Sequence, residues 1–204
     1  MTRKHLFLSL ALVVPWFALA TLAFVFLWGG FPTPAGDPDY NAFGWVLGEK
    51  APRGSFRAHG CVLKEDRPLT RICTSAPAPP GPWVEKYIVY TLPDGRVTAV
   101  TATRVFEGDS TCGQLHSSLR RLKSDLRGFY GNPDFAQESF TSSAICGGRP
   151  HEGTATWLLN PEVTVLAMGM PFTPETVLSL GYSHYSLEGE RGALLEEREA
   201  KGLR

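Results

Sequence analysis

Residues 85–106 read EKYIVYTLPDGRVTAVTATRVF, with β-branched and aromatic residues on both sides of a Pro-Asp-Gly segment at residues 93–95. Such residues suit a pleated, half-buried surface, and Pro-Asp-Gly favours a tight turn. The pattern predicts a β-hairpin with strands over residues 85–92 and 95–106. Because threonines interleave with apolar residues in the second strand, we expect one packed face and one wetter face.

A second hairpin is predicted on the amino-terminal side, with strands over residues 55–64 and 69–75. Residues 65–68, Glu-Asp-Arg-Pro, separate the two runs and are typical of a turn. Residues 76–82 contain four prolines and a glycine. We expect them to form a loop, because proline cannot donate a hydrogen bond within a central strand.

The chain has four cysteines, Cys61, Cys73, Cys112 and Cys146. An even number favours disulfides in an oxidising compartment, and four cysteines allow three pairings. Cys61 and Cys73 lie symmetrically about Arg67, so a hairpin register centred there would place them opposite each other. The local pattern therefore favours Cys61–Cys73 and Cys112–Cys146. Each bond stabilises the fold by about 3 kcal/mol in the chain-entropy model. Because no two cysteines have the close spacing of a zinc site, a metal role is not expected.

One amphipathic helix is predicted from residue 110 or 111 to residue 128, because apolar residues recur there at spacings of three and four. Its apolar stripe comprises Cys112, Leu115, Leu119, Leu122, Leu126 and Phe129. We expect Asp109 or Ser110 to cap the first turn, and Gly-Asn-Pro at residues 131–133 to end the helix. The basic residues on its other faces are read as solvated; the alternative is that they bind an acidic partner or anionic lipid headgroups.

The carboxyl-terminal part predicts further strands and a second helix. The expected elements are a hairpin with strands over 154–160 and 162–170, a short strand over 181–187 and a helix over 188–203. Trp157, Val163 and Val165 alternate with other residues as in a half-buried strand.

The amino terminus carries Arg3 and Lys4 before an uncharged apolar run over residues 6–28. The run is long enough to cross a hydrocarbon core about 30 Å thick, so it predicts a transmembrane anchor in contact with the lipid bilayer. The alternative is a secretory signal cleaved after Ala-Leu-Ala at residues 18–20, although cleavage there would leave an exposed apolar terminus. The basic residues before the run place the amino terminus in the cytoplasm and the remainder on the exported side.

These patterns predict an α+β fold: a single amino-terminal transmembrane helix, then one exported domain of antiparallel β-hairpins packed on an amphipathic helix and stapled by disulfides. The expected divisions are the cytoplasmic start and anchor (1–30), a Pro/Gly-rich linker (31–50), the α+β domain (51–188) and a carboxyl-terminal helix or tail (189–204). Twenty basic and 20 acidic residues give no reason to expect nucleic acid as a partner.

No familiar catalytic motif occurs in the chain: a nucleophile elbow, a phosphate-binding glycine loop, His-Glu-x-x-His and Cys-x-x-Cys are all missing from the sequence. The exported histidines are interpreted as surface or partly buried residues; they are His59, His116, His151 and His184. The alternative is an acid–base pair of His151 and Glu152 acting with Tyr182 or Tyr185. We therefore predict no catalytic, cofactor-binding or metal-binding residue.

Two further groups are interpreted as core. Met168 and Met170, with Phe172 nearby, are more typical of core filler than of a copper site. The aromatic set is Trp45, Trp83, Tyr87, Tyr90, Phe106 and Trp157. If several of these aromatic residues were exposed together, a binding groove would explain them better.

The functional prediction is a membrane-anchored envelope accessory or interaction protein, single-pass in the inner (cytoplasmic) membrane. Its domain would face the periplasm if the host is bacterial, and would bind another envelope protein or complex. The first alternative is a module that binds a small ligand, lipid or glycan. The second is an envelope hydrolase using His151 and Glu152. No cofactor is expected, and the leading prediction is not an enzyme.

Overall fold

The computed structural model describes residues 40–78, 83–109, 111–136, 139–140, 151–171 and 175–202. The predicted anchor over residues 6–28 lies outside the described residues, as do Cys146 and Phe172. Within the described ranges, every helix is too short or too polar to cross a bilayer.

The fold is α+β with antiparallel sheets, as predicted. The helices are α1 (Ser55–Ala58), α2 (Gly113–Tyr130) and α3 (Tyr185–Ala200). The strands are β1 (Asn41–Ala42), β2 (Trp45–Val46), β3 (Val62–Leu63), β4 (Thr70–Cys73), β5 (Lys86–Thr91), β6 (Val97–Glu107), β7 (Phe135–Ala136), β8 (Ser139–Phe140), β9 (His151–Glu152), β10 (Ala155–Leu158), β11 (Val163–Pro171) and β12 (Glu175–His184). Among the described residues, eight strands form one sheet in the order β3-β4-β5-β6-β12-β11-β10-β7.

The hairpin predicted over residues 85–106 is confirmed as β5 and β6. Tyr87 pairs with Ala102, and Gly95 in the turn has a φ of 90°, which a glycine adopts without strain. A bulge follows Tyr90, so the register shifts before the turn. This hairpin lies inside the sheet, between β4 and β12.

The hairpin of β3 and β4 has the predicted register. Val62 pairs with Ile72, which centres the turn on Arg67, and a disulfide joins Cys61 to Cys73. The predicted first strand is wrong at its start, because residues 55–58 form α1. The turn before Ser55 has Gly54 at φ 80°, and the amide of Ala58 donates to the Gly54 carbonyl, so the chain closes one helical turn.

Helix α2 packs against β11 and β12 through its predicted stripe. Its buried apolar residues are Leu115, Leu119, Leu122 and Leu126. Phe129 is 60% exposed, so its place in the stripe was wrong. Tyr130, four residues after Leu126, contacts the sheet instead: its hydroxyl lies 3.2 Å from that of Tyr182. Gly169 lets the helix approach closely, since an added Cβ would lie 3.1 Å from Leu119.

The hairpin predicted over residues 154–170 is confirmed as β10 and β11, with Trp157 opposite Val165. The short strand predicted over residues 181–187 was placed wrongly, because β12 runs from Glu175 to His184 and α3 begins at Tyr185. Strand β12 lies between β6 and β11. Its buried residues alternate along the strand, except that Ser179 is also buried between Leu178 and Leu180.

Residues 40–50 pack onto the domain, although the sequence assigns them to the linker over residues 31–50. Trp45 is 1% exposed and Leu47 is buried beside it in the same core cluster. Leu47 also forms a parallel bridge to Val97 at the start of β6. This part of the predicted linker is therefore structured, because its apolar side chains complete the core.

Alkaline pH is expected to destabilise the fold through Tyr87. Burial raises the pKa of Tyr87 from 10.0 to about 12. Because the folded-state pKa exceeds the unfolded-state value, this contribution to stability is complete below pH 10.0 and is lost as the pH rises toward about 12. Guanidinium chloride titrations at fixed pH should show the free energy of unfolding falling over that window, and falling less in Tyr87→Phe. The same slope in both proteins would contradict this assignment.

Candidate functional site

The two faces of the sheet differ in what covers them. Along β11, the side facing α2 carries Val163, Val165 and Ala167, which are buried. We call the opposite side the outer face. There Leu166 and Met168 are only half-buried, so the described residues leave apolar side chains open on this side.

A groove of about 400 Å³ runs over the outer face, and we call it the apolar groove. Its apolar lining residues are Ile88, Tyr90, Leu166, Met168, Met170 and Val177. The groove is also lined by Thr101 and Thr103 of β6 and by Ser179 and Gly181 of β12. The sequence interpretation of Met168 and Met170 as core filler is therefore wrong, because both side chains line this open groove.

Further apolar side chains share the outer face by register. Phe135 pairs with Thr156 at one edge of the sheet, and Val62 pairs with Ile72 at the other. Their exposed fractions are 64% and 69%, and Leu158 on β10 is 50% exposed. Exposed apolar surface of this extent marks an interaction surface more often than a solvated one.

The predicted aromatic set is divided between core and surface. Trp45, Tyr87, Phe106 and Trp157 are buried, which confirms them as core. Trp83 and Tyr90 are half-buried. Tyr90 alone among the six lines the groove, so the groove is not built from that set.

A second cavity of about 900 Å³ lies between α3 and the β3–β4 turn. Three arginines line it, Arg67 from the turn and Arg191 and Arg198 from α3, and we call it the arginine cleft. The guanidinium of Arg191 lies 4.7 Å from the centre of the Tyr90 ring. Tyr90 lines both cavities, so the cleft adjoins the apolar groove.

His184 forms a small polar cluster at the junction of β12 and α3. Its Nε2 lies 3.6 Å from a carboxylate oxygen of Glu162, and its Nδ1 lies 3.2 Å from the Ser186 hydroxyl. The Tyr40 hydroxyl donates to the same carboxylate at 2.5 Å. These contacts join residue 40 and the β10–β11 turn to α3. The residues of this cluster are not among those that line the apolar groove or the arginine cleft.

The remaining predicted histidines do not join this cluster. His59 packs against the Trp45 ring and contacts the Ser75 hydroxyl at 3.2 Å, whereas His116 lies on α2. His151 and Glu152 form β9. Among the described residues, no group of three or more histidines, cysteines or carboxylates could hold a metal ion.

The two tyrosines predicted as partners of His151 differ in burial. Tyr182 is buried on the α2 side of the sheet, and burial raises its pKa well above the ordinary value. Tyr185 is 76% exposed at the start of α3.

The four predicted disulfide cysteines have different outcomes. The Cys61–Cys73 bond is present, and no cysteine among the described residues is a free thiol. Cys112 is buried at the start of α2. The Cys112–Cys146 bond remains a prediction, since Cys146 lies outside the described residues.

The arginine cleft was not predicted from the sequence. Arg191, Leu195 and Arg198 are spaced by four and three residues, which places them on one face of a helix, and this was a usable signal. Arg67 joins them only through the fold. Comparison of the chain with protein-family models, curated proteins and solved structures found no match.

Proposed function

We propose that this chain is a membrane-anchored accessory protein of the cell envelope that binds another envelope protein through the outer face of its sheet. The observation that carries the proposal is the apolar surface that crosses this face from Phe135 to Val62. Eight strands spaced by about 4.8 Å make a face roughly 34 Å wide, which suits a macromolecular partner. The anchor proposed for residues 6–28 would hold this surface near membrane proteins.

The composition of the face supports a protein partner. Leu166 and Met168 present flexible or branched apolar side chains on one strand, and methionine adapts readily to irregular partner surfaces. Threonine hydroxyls of β6 and the Ser179 hydroxyl of β12 line the same groove. A mixed apolar and neutral polar surface with few charges is typical of the centre of a protein interface.

The test is a charge placed in the apolar groove. In Leu166→Glu the new carboxylate would be buried without a partner when the complex forms, so we expect a loss of binding of about tenfold or more. Full-length protein is purified from its native membrane in mild detergent, and any co-purifying envelope protein is quantified. Ser124→Glu is the matched control, because Ser124 is exposed on α2, which covers the opposite side of the sheet.

The expected result is a stoichiometric partner retained by the wild type and by Ser124→Glu but lost from Leu166→Glu. A second version, with residues 1–30 replaced by a cleavable signal, should keep the partner because the contact lies on the domain. Equal retention by Leu166→Glu and Ser124→Glu would contradict the proposal, as would the lack of any partner of the wild type.

A second candidate function is a module that binds a lipid or another small apolar ligand. The apolar groove, at about 400 Å³, has a volume typical of ligand sites. The observation that favours this candidate is Tyr90, which connects the groove to the arginine cleft. A ligand that is apolar at one end and anionic at the other would match both cavities.

A further inference from the structure

The arginine cleft brings cationic groups from distant parts of the chain into one cavity. Arg67 lies in the β3–β4 turn, while Arg191 and Arg198 lie on α3 more than a hundred residues later. The cavity has a volume of about 900 Å³. The aromatic ring of Tyr90 and the side chain of Leu195 add apolar lining to it.

The charge in the cleft is only partly compensated. Arg191 donates to the Glu188 carboxylate at 2.8 Å, and Asp66 pairs with Lys64 at 3.4 Å. Asp66 and Glu199 are the two carboxylates that line the cleft. Within the described part of the chain, Arg67 and Arg198 form no ion pair.

One donor of the cleft lacks an acceptor. The Nε of Arg198 is shielded from solvent and has no hydrogen-bond partner among the described residues. A buried donor left without an acceptor is costly, and a bound anion would remove that cost. Arg198 is therefore the arginine of the cleft whose donors most need an acceptor.

We infer that the arginine cleft binds a phosphate group. Guanidinium forks pair with phosphate oxygens through parallel hydrogen bonds, and donors from several arginines exceed what the two oxygens of one carboxylate can accept. The Arg191–Glu188 pair fixes one guanidinium over the Tyr90 ring, so part of the site is already ordered. The cleft adjoins the apolar groove at Tyr90 but is a separate cavity, and a phosphate bound in it goes beyond the protein partner proposed above.

The phosphate has two chemical sources, a free phosphate or the headgroup of a lipid. Tyr90 stands between the cleft and the apolar groove, so an acyl chain attached to the phosphate could continue into the groove. The experiment therefore compares inorganic phosphate, a short-chain phosphatidic acid and the corresponding diacylglycerol. Acetate serves as the carboxylate probe.

Binding is measured by calorimetric titration of the full-length protein in an uncharged detergent. We expect phosphate and phosphatidic acid to bind, and Arg198→Gln to weaken both by about tenfold, the effect of losing a charged hydrogen bond. Arg67→Gln tests the site from a different element and should weaken both as well. Arg127→Gln on α2 makes the same charge change away from the cleft and should leave binding unaltered.

The outcomes separate the sources and can overturn the inference. Phosphatidic acid binding much more tightly than phosphate identifies a lipid headgroup, whereas equal affinities identify free phosphate; both support the site. Binding unaltered in both Arg198→Gln and Arg67→Gln overturns it, as does the failure of both phosphate probes or a preference for acetate or diacylglycerol. Loss of the phosphate site with retention of the protein partner would leave the proposed function intact.

Discussion

Trp157→Ala is expected to lower the free energy of unfolding by about 3–5 kcal/mol, the range for removing a large aromatic side chain from a core. Trp157 is 1% exposed on β10, opposite Val165. Its indole Nε1–H also donates to the Gly131 carbonyl at 3.0 Å, which ties the end of α2 to the sheet. The substitution therefore removes core volume and frees the end of the helix together.

Guanidinium chloride denaturation of the full-length protein, followed by circular dichroism, measures the effect. Trp157→Phe keeps most of the ring but not the N–H donor, so it should cost less than the alanine variant. Trp83→Ala is the matched control, because Trp83 is only half-buried beside the core. A cost for Trp83→Ala equal to that for Trp157→Ala would show that burial of Trp157 does not determine its contribution.

The elements fixed by local patterns could be predicted from the sequence. The hairpin of β5 and β6 follows from its turn and its β-branched residues, and the stripe of α2 follows from spacings of three and four. Cysteine spacing even predicted the β3–β4 register, since Cys61 and Cys73 lie at equal distances from Arg67. These features depend on neighbours within about a dozen residues, so distant contacts did not alter them.

The outer face could not be predicted, because both sides of β11 are apolar. The side against α2 carries small residues such as Ala167 and Gly169, which allow the helix to pack closely. The larger Leu166 and Met168 therefore lie on the open side, although size and hydropathy favour them as core. Which side a helix covers depends on the path of the whole chain, and periodicity does not encode it.

The arginine cleft illustrates the same limit for the candidate site. The helical spacing of Arg191 and Arg198 is visible in the sequence, but an exposed helix commonly carries charged residues at such positions. Only the packing of α3 against the sheet brings them to Arg67. Sites built from separate elements are determined by topology, so motifs in the sequence do not reveal them.

Asp109→Ala is expected to lower the free energy of unfolding by about 2–4 kcal/mol, because it removes a cap and leaves buried donors unpaired. The Asp109 carboxylate is 6% exposed and accepts hydrogen bonds from the amides of Leu115 at 3.0 Å and Gln114 at 3.3 Å. It also accepts from the Thr176 hydroxyl at 3.2 Å on β12. One side chain thus joins the start of α2 to the sheet.

This role confirms Asp109 as the residue that satisfies the first turn of α2, one of the two predicted from the sequence. Asp134→Ala is the matched control for the same measurement. The Asp134 carboxylate accepts one backbone hydrogen bond, from Leu158 at 2.8 Å, but the residue is exposed. Water can replace that bond, so a cost below about 1 kcal/mol is expected there. If the two variants lost equal stability, burial of the Asp109 carboxylate would not account for its contribution to the stability of the fold.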